Sequence, residues 1–199
     1  AKLSSFTQEA FEDFNVALPQ LRVLTNQAAQ AVGYYNAVYK FERLSDSRVR
    51  VIVTPNEPIL IKEQNIEFSG AGERLPQLQV IRLIPEQDEG DIFNHGKYEE
   101  TKTKIVSAAN DNGFFDAYWR LHDVKITLPD KTAEINLKYE TGERYKLKKV
   151  EYRMSDPSKP LPLTPKVLDS LAPWKEGDDY AFWRVNVLYP VARQKHRHR

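Results

Sequence analysis

The five residues Gly33-Tyr34-Tyr35-Asn36-Ala37 recur class for class as Gly113-Phe114-Phe115-Asp116-Ala117, 80 positions further along. An echo at a fixed period constrains a fold more than any local pattern, because it means that one structural unit has been built more than once. Each copy follows a helical stretch, residues 19–32 and 97–112, and precedes two strand-like runs. In the first copy these are residues 37–44 and 48–54, across Ser45-Asp46-Ser47; in the second they are residues 117–128 and 132–140, across Pro129-Asp130-Lys131. Two further echoes keep the same order. Glu57-Pro58-Ile59-Leu60-Ile61-Lys62, ending Ile66-Glu67-Phe68, parallels Glu143-Arg144-Tyr145-Lys146-Leu147-Lys148, ending Val150-Glu151-Tyr152, with a small shift in spacing. Ile84-Pro85, followed by Glu89-Gly90-Asp91-Ile92-Phe93, parallels Ala172-Pro173, followed by Glu176-Gly177-Asp178-Asp179-Tyr180. Together they define a unit of about 85 residues in the order strand, helix, helix, strand, strand.

The residue types suit that order. Gly33 and Gly113 close apolar-periodic helices, where glycine alone adopts a positive φ without steric cost. The aromatic pair then turns the chain into a strand, one ring going under the helix. In residues 97–112, Tyr98, Ile105 and Ala109 recur at helical spacing, Thr101 and Ala108 fill the gaps, and Lys102 and Lys104 point outward. Ile135, Leu137 and Tyr139 alternate with Glu134, Asn136 and Lys138, and Val49, Val51 and Val53 alternate with Arg48, Arg50 and Ile52. One face of each sheet is therefore buried. The fold class expected is α+β, with two helices covering one face of a small mixed three-stranded sheet in each module.

Turn signals divide the chain. Pro55-Asn56-Glu57-Pro58 and Glu140-Thr141-Gly142-Glu143 separate three modules: residues 1–57 without an opening strand, residues 58–142 complete, and residues 143–199 truncated. The first module opens with a helix at about residues 7–14. The third holds a proline-rich loop, residues 156–165, before a short helix near 165–171, with Thr164 as N-cap and Pro165 at the first helical position.

Charge and composition remove several function classes. With 29 basic against 28 acidic residues, there is no general electrostatic hold on nucleic acid. A KH-like nucleic-acid module shares part of the element order and stands as the alternative of a different class. It needs a GxxG loop, however, and Gly70-Ala71-Gly72 has the wrong spacing; the Lys102/Lys104 and Lys146/Lys148/Lys149 groups read as solvated faces. No apolar run approaches the ~20 residues of a membrane helix, and the acidic, amphipathic start is not a signal peptide. The absence of cysteine excludes disulfides and thiolate chemistry. The four histidines are His95, His122, His196 and His198. Only His122-Asp123 is a neighbouring pair of catalytic type, and no metal-ligand spacing such as HExxH occurs. His95 reads as a capping or solvated residue before a helix, and His196 and His198 as part of a basic, solvated tail. The chain is therefore expected to be no enzyme, with no cofactor and no metal.

These motifs resemble the POTRA domains of the Omp85 superfamily of outer-membrane barrel proteins, and most of all its TamA branch. The match is carried by Gly90-Asp91-Ile92-Phe93, Tyr98-Glu99 and Asn112-Gly113-Phe114-Phe115-Asp116-Ala117, with a second copy in residues 29–37. It covers roughly residues 6–186, and residues 189–199 depart from it. The resemblance implies the periplasmic part of an outer-membrane protein of a Gram-negative bacterium. It implies a scaffold that binds unfolded outer-membrane and autotransporter clients and a TamB-like inner-membrane partner, next to its own C-terminal β-barrel. A BamA or two-partner-secretion relative is the alternative. Such a scaffold accepts an extended guest at a free sheet edge. The expected edges are residues 118–126, with Tyr118, Trp119, Leu121 and Asp123, and residues 38–43, with Val38 and Lys40. Trp119, Leu121 and Asp123 are expected on one side of the strand; the competing expectation is that Trp119 packs into the fold. Gly33, Tyr34, Tyr35, Gly113, Phe114 and Phe115 form the structural signature of the repeat.

Overall fold

The computed structural model describes residues 14–149 and 151–182. In order, the elements are α1 (Phe14–Ala31), β1 (Val38–Ser45), β2 (Arg48–Thr54), β3 (Leu60–Ser69), α2 (Pro76–Leu83), α3 (His95–Asp111), β4 (Tyr118–Thr127), β5 (Thr132–Glu140) and α4 (Pro165–Leu171). The described sheets are a two-stranded β1–β2 hairpin and a three-stranded sheet in the order β3-β5-β4. The expected helix at residues 7–14 lies, apart from Phe14, outside the described residues. So do Val150 and residues 189–199 with His196 and His198.

The three-stranded sheet is mixed. Leu60 N–H donates to the Lys131 carbonyl at one end of β3 and β5, and Thr141 N–H donates to the Ser69 carbonyl at the other. Between them Asn65 meets Asn136 and Glu67 meets Lys138, in the same sequence order, so the two strands run parallel. β4 returns antiparallel to β5 through the turn that ends at Lys131, whose φ is +53°. Ala133, Ile135, Leu137 and Tyr139 of β5 are all buried, and the residues between them are half-buried. That strict alternation marks a strand with a packed face and a wetter one. On α3, Tyr98, Thr101, Ile105, Ala108 and Ala109 are buried. Lys102 is drawn in rather than outward: its ammonium lies 5.1 Å from the Tyr98 ring centroid and pairs with Glu99. Burial raises the Tyr98 hydroxyl pKa to about 12, with smaller contributions from the Glu99 and Asp123 charges.

The chain divides into two compact units, Ala1–Ile66 with Ile81–Thr103 and Leu121–Leu137, and Glu67–Val80 with Lys104–Arg120 and Lys138–Arg199. Within the first unit, α1 precedes the β1–β2 hairpin. Ala17 and Leu21 are its buried residues, one helical turn apart. A helix was expected to start at Pro19, but α1 begins at Phe14 and contains that proline. Proline at this position forfeits the amide bond to the Asn15 carbonyl. An apolar groove lined by Ala28, Val32, Tyr34, Tyr39, Val53 and Pro55 runs along the hairpin. Val53 was expected to be buried and is instead 47% exposed, because it lies on this open groove.

The same backbone arrangement occurs once in each unit. In the first, Ile59 N–H donates to the Gly33 carbonyl (2.8 Å), Phe93 N–H to Ile59 (2.9 Å), Ile61 N–H to Asp91 (2.9 Å) and Gly90 N–H to Ile61 (2.8 Å). In the second, Tyr145 N–H donates to Gly113 (2.8 Å), Tyr180 N–H to Tyr145 (2.9 Å), Leu147 N–H to Asp178 (2.8 Å) and Gly177 N–H to Leu147 (2.7 Å). Even the loop caps agree: Asp91 accepts from the Asp88 amide and Asp178 from the Lys175 amide. Gly33 and Gly113 have φ of +93° and +84°. A Cβ at Gly33 would lie 2.6 Å from the Phe93 carbonyl oxygen, and one at Gly113 would lie 2.9 Å from Tyr180 Cβ. The repeated glycine is thus required twice over, by dihedral and by space.

Residues 143–148, expected as a strand, form an isolated bridge, Lys146 with Asp179, as Leu60 does with Ile92. A strand also needs a ladder on its other side, and among the described residues none pairs there. Helix α4 lies where expected, with Pro165 in its first turn and Thr164 at the N-cap. The Thr164 hydroxyl makes no cap bond; its carbonyl accepts the Val167 and Leu168 amides.

Candidate functional site

β4 stands at one end of the three-stranded sheet, in the order β3-β5-β4. A strand at the end of a sheet is where an extended chain adds backbone hydrogen bonds. Tyr118 is 57% and Leu121 36% exposed, and Arg120, His122 and Asp123 are also exposed. Trp119 is half-buried, its ring 4.6 Å from that of Tyr139. Packing against a core residue is therefore the role of Trp119 that the geometry displays. Asp123 does not continue an exposed-inward alternation from Trp119: from Arg120 to Asp123 four residues in succession are exposed, and half-burial resumes at Val124 and Ile126. The alternation changes phase inside the strand.

Val38 and Lys40 belong to the other sheet. β1 pairs with β2 along one side, Val38 opposite Thr54 and Lys40 opposite Ile52. Val38 is 61% exposed, and Lys40 pairs with Glu42 at 3.2 Å. Register slips between Arg43 and Ser45, so this strand too is interrupted.

The signature residues separate in role. Phe114 is 2% exposed, and its ring fills the space above Gly72, where an added Cβ would meet it at 2.7 Å. Phe115 is 46% exposed and stacks edge-on with Tyr145 and Tyr180, at 5.2 and 4.9 Å. Tyr34 lines the groove of the first unit. Tyr35 hydrogen-bonds to His95 at 2.7 Å. His95 had been expected to cap or solvate; it is instead the first residue of α3, and the Asn94 side chain caps the helix by accepting from the Lys97 amide.

Arg144 carries no signal beyond its place in the Glu-Arg-Tyr echo, yet it binds the second junction together. Its Nε donates to the Asn112 carbonyl (2.7 Å), Nη2 to the Tyr180 carbonyl (3.0 Å), and Nη1 reaches Asp179 (3.4 Å). At the end of β5, the Glu140 carboxylate accepts from the Ser69 hydroxyl and the Gly142 amide, and buried Thr141 accepts from the Gly72 amide. Residues 70–72 are thus committed to the fold. The Ser69 and Gly142 bonds, in that order, hold the Glu140 pKa below its ordinary value. Among the described residues no group of three or more His, Asp or Glu is placed to hold a metal ion. No helix among them is long and apolar enough to cross a membrane.

Residues 61–144 match the family model POTRA, described as a surface antigen variable number repeat. This segment is similar to a POTRA domain. Its matched limits run from within β3 to Arg144, so the match takes in β3, α2, α3, β4 and β5. Similar solved structures include the POTRA3-5 segment of Haemophilus influenzae BamA, 15% identical, covering 91% of this chain and 69% of that one, with a TM-score of 0.49. POTRA1-3 of the periplasmic domain of Omp85 from Anabaena is 17% identical, with 84% and 67% covered and a TM-score of 0.37. BamA from Haemophilus ducreyi lacking POTRA domains 1-3 is 18% identical, with 64% and 23% covered and a TM-score of 0.32. The similarity to POTRA domains rests on residues 61–144, independently of these likenesses.

Proposed function

We propose that the chain is a periplasmic POTRA scaffold of an Omp85-superfamily outer-membrane assembly protein, and that it binds extended clients by adding them to a sheet edge rather than by chemistry. The observation that carries this reading is the place of β4 at the end of the three-stranded sheet, inside the segment that matches the POTRA family model. Backbone pairing gives affinity with little demand on guest sequence, which suits a receptor for unfolded barrel strands. Three modules in tandem, residues 1–57 without an opening strand, residues 58–142 complete and residues 143–199 truncated, fit the repeated backbone arrangement at Gly33 and Gly113. Within the superfamily we infer the TamA branch, from Gly90-Asp91-Ile92-Phe93 and residues 112–117, with a TamB-like inner-membrane protein as partner and the BamA branch as the alternative.

The test is a pull-down of a urea-unfolded outer-membrane barrel protein by the wild-type chain and by Leu121→Pro, with thermal melts as a fold control. Proline removes a backbone donor from the strand. Capture by the wild type and weaker capture by a folded Leu121→Pro support the reading. Equal capture by both removes β4 as the site.

A further inference from the structure

We infer that the apolar groove of the first unit is a further docking site, and that its occupant is an extended segment of a partner chain laid parallel to β2. The segment turns apolar residues into the groove and acidic residues toward Arg48 and Arg50, and it leaves through small residues over Tyr34. The site is independent of β4.

The repeat identifies what the groove is. In the frame that matches Gly33 with Gly113, Thr25, Ala29 and Tyr34 of the groove correspond to Ile105, Ala109 and Phe114. In the frame that matches Glu57 with Glu143, Val53 and Pro55 correspond to Tyr139 and Thr141. The backbone fixes this second frame, since Asn56 and Gly142 both have positive φ, +56° and +66°. All five counterparts are buried. Of the groove residues, Thr25, Ala29 and Tyr34 are half-buried, and Val53 and Pro55 are exposed. The groove is the same core, open on one side.

The second unit shows what closes such a core. The Thr141 amide donates to the Ser69 carbonyl (2.9 Å), and the Thr141 hydroxyl accepts from the Gly72 amide (2.8 Å). The Phe114 ring takes the space where a Gly72 Cβ would stand. The closing piece is therefore the end of a strand parallel to β5, followed by the small residues Gly70-Ala71-Gly72. β2 holds the place of β5, and among the described residues it pairs only with β1. A chain added along its other side gains backbone hydrogen bonds and covers the apolar groove. Pro55 has no N–H to give where Thr141 bonds to Ser69, so pairing ends at Thr54. The guest then turns away over Tyr34, where a small residue leaves room for the ring.

Charge selects the other face of the guest. Glu42 lies opposite Arg50 and Lys40 opposite Ile52, so Lys40, Glu42, Arg48 and Arg50 share one face of the hairpin. Glu42 is the one acidic residue of β1 and β2, and it is divided between Lys40 at 3.2 Å and Arg50 at 3.6 Å. Positive charge is left over on this face, and an acidic guest residue beside it is favoured. On the groove side, Val49, Val51 and Val53 favour apolar guest residues. Tyr39 also lines the groove, and its buried hydroxyl has no hydrogen-bond partner among the described residues. A guest polar group that reaches it removes the cost of an orphaned donor.

The test uses the full chain and a short fluorescein-labelled peptide that alternates valine with glutamate and ends in Gly-Ala-Gly. One control replaces glutamate by lysine, and another carries Gly-Ala-Gly at its front. Anisotropy reads affinity and deuterium exchange reads position, neither of which needs a variant. The inference predicts new protection within residues 49–54 and about fivefold tighter binding than either control. Ala28→Trp, which fills the groove from an exposed helix position, should weaken binding about tenfold while thermal melts show it folded. Absence of binding, or binding that leaves β2 unprotected, overturns the site; if the protected residues are then those of β4, the reading of that strand stands alone. Outer amides of β2 that are protected before peptide is added assign the groove to the chain itself and overturn the partner. Protection of β2 that rises with protein concentration alone assigns the groove to a second copy, with the same result. Equal affinity for the glutamate and lysine peptides overturns the acidic preference, and equal affinity for the two placements of Gly-Ala-Gly overturns the parallel orientation.

Discussion

The Gly33 carbonyl receives the Ile59 amide at 2.8 Å, and Gly113 receives the Tyr145 amide at the same distance. Each glycine closes one helix and also anchors the segment that starts the next repeat. A side chain at either position meets both a forbidden dihedral and an occupied space. Gly33→Val and Gly113→Val should each cost more than about 2 kcal/mol in urea unfolding. Gly90→Ala and Gly177→Ala share the positive φ but face open space. They should cost only the dihedral strain, about 1–2 kcal/mol. Equal losses across all four would remove the packing half of this account.

Phe114 and Phe115 are adjacent in sequence and opposite in role. Phe114→Ala should lose about 3–5 kcal/mol, since a fully buried ring leaves a cavity against Gly72. Phe115→Ala should lose about 1 kcal/mol, the scale of a half-exposed aromatic contact. Urea midpoints at constant slope decide the matter.

Arg144 makes a planar fork onto two carbonyls and a carboxylate. Arg144→Ala should destabilise the second junction by about 1–3 kcal/mol and speed exchange of the Tyr180 and Tyr145 amides. Arg144→Lys should restore little, because an ammonium does not reproduce the fork. Full rescue by lysine would reduce the role of Arg144 to its charge.

Glu140 gives a pH signature. Folding lowers its carboxyl pKa, first through the Ser69 hydroxyl and then through the Gly142 amide. The ionised form is therefore the one that the fold prefers. Its contribution is complete above the ordinary value near 4.5 and disappears as pH falls through the lower folded value. The stability gap between wild type and Glu140→Gln, measured by urea melts, should be open at pH 7 and should close on acidification. A gap that widens in acid would contradict the assignment.

Much of the fold was legible because local rules and the repeat agree. The strands at residues 48–54 and 132–140 lie where alternation places them, and α4 lies where Pro165 places it. The start of α1 was hidden by Pro19, since a proline near a helix start and one at its first position look alike in sequence. Arg144 was illegible as an anchor because its three acceptors, the Asn112 and Tyr180 carbonyls and the Asp179 carboxylate, all lie far along the chain. The phase change in β4 was missed for a related reason: Trp119, Leu121 and Asp123 share parity on paper, and only the exposed run from Arg120 to Asp123 reveals the change.

The junction at each glycine is made almost wholly from main-chain donors and acceptors. Heredity can therefore rewrite Tyr34-Tyr35 as Phe114-Phe115, or Pro58 as Arg144, without having to reinvent the joint. A gene that duplicates such a bead inherits a working coupling with it, so the rings around each joint are free to differ from copy to copy.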